Sequence, residues 1–97
     1  MGTGNNKTYS DTDFTAGDSP ATLEILEDMG RPGTAGFLVN DGSADIQVEI
    51  EDAAGNGYGE AFNLAGGEAL DFEPKTDLIK RIKLTHIADS AYRCVVK

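Results

Sequence analysis

The 97-residue chain contains no tryptophan, one cysteine, three prolines and no long hydrophobic run. A single cysteine, Cys94, excludes a disulfide bond within the chain, which is typical of proteins made in a reducing compartment. No apolar stretch approaches the ~20 residues of a membrane-spanning helix, and the polar start has no signal-peptide core. We therefore expect a protein that is made in the cytoplasm and has no membrane partner.

Basic side chains are also scarce, with 8 Lys and Arg against 17 Asp and Glu, a net charge of −9. Their distribution is uneven. Residues 75–97 hold six of the eight and carry a net +4, whereas residues 1–74 carry −13. A phosphate backbone repels such an acidic protein, so we expect no nucleic-acid partner. The concentration of positive charge at one end requires an explanation.

Strand signals dominate the rest of the sequence. Apolar residues alternate with polar ones over residues 45–51 and 81–87, the period of a half-buried strand. Asn56-Gly57 and Gly66-Gly67 mark turns, and no window has a helical period. About seven short strands predict an all-β fold, a small antiparallel β-sandwich or jelly-roll-like barrel. The predicted core consists of Ile46, Val48, Ile50, Phe62, Leu70, Phe72, Ile82 and Leu84.

Residues 1–20 differ from the rest in being polar, and we interpret them as a flexible N-terminal arm that precedes a single β domain, residues 21–97. Tyr9 and Phe14 are the large apolar residues of this arm. The arm is either a disordered leader or a segment that orders on a partner, with Tyr9 and Phe14 as anchors.

The last two strands are predicted to form a hairpin around Ala88-Asp89-Ser90. In that register one face is apolar and belongs to the core, and the other is basic. The basic face contains Arg81, Lys83, Arg93 and Lys97. Two hypotheses follow: the acidic strand 45–51 of the same subunit neutralises this face, or the face meets an acidic surface of another subunit or of a larger shell.

The sequence gives only weak signals of a catalytic or metal-binding site. The predicted hairpin places His86 diagonal to Cys94, but a cysteine nucleophile also needs an accessible thiolate and an oxyanion hole. Asp41 and Asp45 flank a glycine turn without the spacing of a calcium loop. No phosphate-binding loop, paired zinc ligands or dinucleotide motif is present. We therefore expect no cofactor, no metal and no enzymatic activity.

The order of elements resembles small virion proteins of tailed bacteriophages. The resemblance runs from Tyr9 to Val96 through "YSDTDFTAGDSPATLEI", "GFLVNDGSADIQVEI", "LAGGEALDF" and "IKRIKLTHIADSAYRCVV". It implies a non-catalytic capsid decoration or minor head protein that binds the major capsid protein or another virion protein. It also implies a homo-oligomer, with a trimer favoured, located in the virion and assembled in the host bacterial cytoplasm.

The alternative function is a carbohydrate-binding β-sandwich. Sugar-binding surfaces stack aromatic rings on the apolar faces of sugars, and this chain has no tryptophan. Tyr58 is the candidate for an exposed ring. A small inhibitor or adaptor is a third possibility that no residue pattern distinguishes.

Overall fold

The computed structural model describes residues 6–55, 57–72 and 78–97, and these residues form eight strands and two short helices. The strands are β1 (Lys7–Phe14), β2 (Ala21–Leu23), β3 (Gly36–Asn40), β4 (Ile46–Asp52), β5 (Phe62–Leu64), β6 (Ala69–Phe72), β7 (Ile79–His86) and β8 (Ser90–Val96). A 3-10 helix spans Ala16–Asp18 and the helix α1 spans Ile25–Met29. The prediction of a mainly β fold is confirmed.

The strands form two four-stranded antiparallel sheets. The front sheet has the order β1-β8-β3-β6, and the back sheet has the order β2-β7-β4-β5. The pairs β1–β8, β2–β7, β3–β6 and β4–β5 are nested, as in one long hairpin whose tip lies between β4 and β5. The pairs β3–β8 and β4–β7 then complete the two sheets. Apart from the connection between β4 and β5, each connection between consecutive strands crosses from one sheet to the other.

The apolar core lies between the sheets because each strand directs alternate side chains inward. Val48, Ile82 and Leu84 enter it from the back sheet, and Leu38 and Val96 enter from the front sheet, all at most 1% exposed. The remaining buried apolar residues are Phe14, Leu23, Ile25, Ile46, Leu64, Ile79, Tyr92 and Cys94. The fold is therefore sandwich-like.

The predicted arm differs from the structure over residues 7–14. These residues form β1, which pairs with β8 along its length, so this segment is part of the front sheet. Its inward positions include the polar residues Lys7 and Asp11, which an edge strand tolerates because one side of it remains in water. The first five residues of the predicted arm lie outside the described residues.

The predicted hairpin of the last two strands is wrong. β7 lies in the back sheet and β8 in the front sheet, and only residues 87–89 connect them. The prediction of inward residues nevertheless holds on both strands: Ile82 and Leu84 are buried, as are Tyr92, Cys94 and Val96. A hairpin and a crossing between facing sheets bury the same set of alternate residues, so alternation alone could not distinguish them.

The predicted core is correct at Ile46, Val48, Ile82 and Leu84, which are buried. Three further predicted residues, Ile50, Leu70 and Phe72, are partly buried against that core. The prediction that Phe62 is buried is wrong, since it is 38% exposed on β5. β5 is a three-residue edge strand, so its first side chain has a neighbouring strand on one side only.

Glycines shape the break between β2 and β3. Gly30 has φ 75° and ends α1 with its N–H donating to Leu26 O. Gly36 has φ 139°, and a Cβ there would lie 1.9 Å from Val95 O of the adjacent strand, so only glycine fits. At the predicted turns, Gly57 and Gly67 have positive φ, and Asn56 lies outside the described residues.

Candidate functional site

The basic residues of the last two strands lie on opposite outer surfaces, because β7 and β8 belong to different sheets. Arg81 and Lys83 are on the outer face of the back sheet, and Arg93 is on the outer face of the front sheet. The single basic face predicted from the sequence is therefore not formed.

On the back sheet, Arg81 and Lys83 face acidic residues of the same chain. β4 is in register with β7, so Glu49 lies opposite Lys83 and Glu51 opposite Arg81. Lys83 Nζ is 3.4 Å from Glu49 Oε1, and Arg81 Nε is 3.0 Å from Glu51 Oε1 and 3.4 Å from Glu24 Oε1. Arg81 Nε and Glu51 Oε1 are buried and form no hydrogen bond, so this contact is an ion pair. Intramolecular neutralisation thus accounts for these two basic residues.

On the front sheet, Arg93 forms a fork with Asp41. Its Nε donates to Oδ2 and its Nη2 donates to Oδ1 at 3.1 Å. Hydrogen bonding to Asp41 raises the pKa of Arg93. Lys97 is exposed, and its backbone oxygen accepts a hydrogen bond from Thr34 N at 2.7 Å. The contact with Asp41 therefore fixes Arg93, largely exposed, on an inner strand of this face.

The two predicted anchors contact their own chain. Tyr9 Oη donates to Asp28 Oδ2 of α1 at 2.8 Å, and burial together with Asp28 raises the pKa of Tyr9. Phe14 is fully buried, with edge-to-face contacts to Tyr92 at 5.5 Å and His86 at 6.1 Å between ring centroids. In this structure the Phe14 ring is not accessible to a partner.

His86 and Cys94 are in different sheets and do not form the pair that the hairpin register predicted. His86 Nε2 lies 2.7 Å from Asp89 Oδ1, three residues along the chain. Burial raises the pKa of Cys94 to about 12, so the thiol is protonated at neutral pH. A nucleophilic cysteine requires the opposite shift.

A buried polar group at one end of the sandwich was not predicted. The Asn40 side chain is fully buried; its Nδ2 donates to Ala44 O at 2.7 Å and to Leu64 O at 2.9 Å. Its Oδ1 accepts hydrogen bonds from Gly42 N at 3.1 Å and Ser90 Oγ at 2.7 Å. The "NDG" sequence signalled a turn but not this link among β3, β5 and β8.

The outer face of the front sheet carries a group of apolar side chains, which we call the apolar front patch. Strand register places Phe37 beside Val95, and Val39 beside Ala69. The patch consists of Phe37, Val39, Ala69, Ala91 and Val95, all partly or fully exposed. The continuous apolar runs "FLV" and "CVV" were the sequence signal, because a strand that is apolar on both faces lacks alternation.

The outer face of the back sheet is polar by comparison. The central residues of this face are Gln47, Glu49, Glu51, Arg81, Lys83 and Thr85. Tyr58, the candidate sugar-stacking ring, is partly buried, and Lys83 Nζ lies 4.8 Å from its ring centroid. One side of the ring is thus already in a cation–π contact.

Within residues 6–55, 57–72 and 78–97, no group of three or more His, Cys, Asp or Glu side chains could hold a metal ion. The described helices are all too short to cross a membrane. Neither a protein-family model, nor a curated protein, nor a solved structure matches the chain.

Proposed function

We propose that this chain is a non-enzymatic structural protein of a tailed-phage virion, a capsid decoration or minor head protein that binds the shell as an oligomer. The observation that carries the proposal is the nested pairing of the eight strands, β1 with β8 through β4 with β5. This order supports interpretation as a jelly roll, an architecture of viral capsid proteins and also of lectin domains. Because one fold serves many functions, the step from fold to function is an analogy.

The jelly-roll interpretation follows from the connections. A long hairpin with β1 to β4 on one side and β5 to β8 on the other gives the four nested pairs. Rolling this hairpin brings β3 beside β8 and β4 beside β7, which are the two additional pairs. The result is a double sheet of eight strands, as jelly rolls have.

The environments of His86 and Cys94 support a non-enzymatic role. The Cys94 thiol is protonated in the core, and His86 faces Asp89. Both side chains therefore contribute to packing and local hydrogen bonding. The partner in the proposal is the major capsid protein or another virion protein, and the location is the virion.

The proposal assigns intermolecular contacts, with the shell or with another copy, to the outer faces of the sheets and not to the predicted arm. Tyr9 and Phe14 pack against their own chain, whereas Arg93 and the apolar front patch are accessible. Self-association remains part of the proposal, and the resemblance favours three copies.

Mass spectrometry of purified phage particles tests this function. We expect the chain in particles made from the genome that encodes it, in a fixed ratio to the major capsid protein. We also expect the purified protein to sediment with shells that lack it. Absence from the particles would contradict the proposal, and selective binding on a glycan array would replace it with the carbohydrate-binding function.

A further inference from the structure

The two outer faces differ in the free-energy change that burial against another protein would bring. Burial of the back face would take the Arg81–Glu51 and Lys83–Glu49 pairs out of water, and the desolvation of charges offsets most of their attraction. Burial of the front face also covers the Arg93–Asp41 pair, but most of its central residues are apolar, and their burial favours association by ~25 cal/mol per Å². The front face is therefore the better docking surface.

We propose that the apolar front patch binds a second copy of this chain, sheet face against sheet face. This inference rests on the self-association in the proposed function and specifies the surface. Isologous contacts require a patch that is complementary to itself, and this patch carries opposite charges on the two strands next to β3. Arg93 on β8 and Asp71 on β6 flank β3.

The positions of these two charges fit a two-fold contact. Arg93 is in register with Val39, and Asp71 is in register with Phe37, so the charges lie on neighbouring rows on either side of β3. In a dimer whose axis passes over β3, Arg93 of each copy faces Asp71 of the other. Both residues are exposed, and the Arg93 side chain is 59% exposed despite its contact with Asp41.

The size of the face predicts a weak dimer. A seven-residue strand is about 23 Å long, and four strands are about 19 Å wide, so each copy offers about 440 Å². The contact would bury on the order of 900 Å² in total, below the ~1,200–2,000 Å² of standard stable interfaces. We therefore expect a dimer that dissociates on dilution. It closes at two copies, in contrast to the trimer that the resemblance favours.

The test compares two lysine substitutions of equal charge. Phe37→Lys introduces a charge at the centre of the patch, opposite Asp71, where the monomer can accommodate it. Thr85→Lys is the matched control on the outer back face. By sedimentation velocity, we expect the wild type and Thr85→Lys to shift from the 10.2 kDa monomer to twice that mass as concentration rises. Phe37→Lys should raise the dimer dissociation constant at least about tenfold.

Circular dichroism and thermal melts verify that each variant is folded. Val39→Glu, placed opposite Arg93, provides a second substitution in the patch if Phe37→Lys does not fold. Unchanged dimerisation of a folded patch variant overturns the inference, and so does a mass of three copies. A wild type that stays monomeric while a patch variant loses shell binding assigns the patch to the shell and also overturns it. Both of these last outcomes leave the virion function standing, which depends on particle composition.

Discussion

Asn40 joins three strands through one fully buried side chain. Asn40→Ala would leave Leu64 O and Gly42 N without their amide partner, whereas Ser90 Oγ can still donate to Ala44 O. A buried polar group without a partner costs about 1–3 kcal/mol, so we expect the two groups together to lower the unfolding free energy by at least about 2 kcal/mol. Urea melts measure this loss. Asn63→Ala, at an exposed position, is the control and should change stability by less than about 0.5 kcal/mol.

Titration of the Cys94 thiol should lower the unfolding free energy at alkaline pH. Burial raises the pKa of its thiol from 9.0 to about 12, so the unfolded chain loses this proton at lower pH than the folded chain. The stability that comes from burying the protonated thiol is therefore fully present below pH 9 and is lost between pH 9 and about 12. Over that range the unfolding free energy falls by up to about 1.4 kcal/mol per pH unit.

The Cys94→Ala variant isolates this dependence. Tyr9 and Tyr92, whose pKa values burial also raises, are present in both proteins, and the variant removes the smaller effect of Cys94 on each of them together with the titration of the thiol itself. Urea melts from pH 7 to 10.5 should give a shallower decline for the variant above pH 9. Equal slopes would show that the thiol is not shielded from water in the folded state.

Among the elements, β4 and β7 form a ladder of opposite charges. Lys83→Glu places like charges opposite each other at Glu49 and should lower unfolding free energy by about 0.2–1 kcal/mol. The exchange Glu49→Lys with Lys83→Glu should recover most of this loss. A double-mutant cycle from denaturant melts measures the coupling, which should shrink at high salt. If Lys83→Glu weakened assembly without affecting stability, the back face would be an interface.

β1 is the element that the sequence interpretation separated from the domain. Phe14→Ala should cost about 3–5 kcal/mol, because the ring fills the core between Tyr92 and His86. Thr8→Ala, at an outward and exposed position of the same strand, should be nearly neutral. Thermal melts compare the two. Similar stabilities would mean that this segment is an arm and not a structural strand.

The contrast between β4 and β1 shows what the sequence could predict. Strict alternation in β4 identifies both the strand and its inward face, because each inward residue is apolar. In β1 the inward positions include the polar residues Lys7 and Asp11, and a register shift between Asp11 and Phe14 interrupts the period of two, so the alternating apolar signal is missing. The sheet to which a strand belongs depends on how each connection crosses, and nothing in the alternation of β7 and β8 specifies that.

The candidate surface shows the same limit. Basic residues that the sequence concentrates near its end form ion pairs within the chain, as Arg93 does with Asp41. The apolar front patch combines residues of three strands that are distant in sequence, so it exists only once the sheet order is known. Continuous runs such as "FLV" indicate a strand that is apolar on both faces but not what covers the second face.

At the scale of the whole molecule, charge opposes self-association. Each copy carries −9 and has a radius of gyration of 12.8 Å, so two docked copies have centres about 25 Å apart. Coulomb repulsion at that distance in water is about 13 kcal/mol without salt, and screening reduces it to about 6 kcal/mol at 0.01 M and about 1 kcal/mol at 0.1 M salt. Ion pairs between exposed side chains contribute little to association, so the pairs between Arg93 and Asp71 offset only a small part of this repulsion.

The dimer should therefore strengthen as salt is added, since the apolar patch supplies the attraction and the net charge supplies the repulsion. Sedimentation velocity at 0.01, 0.1 and 0.3 M NaCl measures this trend, with the largest change between the first two concentrations. Phe37→Lys, which reduces the net negative charge by one unit per copy, should nevertheless stay monomeric at every salt concentration. A dimer that weakens with salt would contradict this account, because it would mean that attraction between opposite charges, and not apolar burial, holds the copies together.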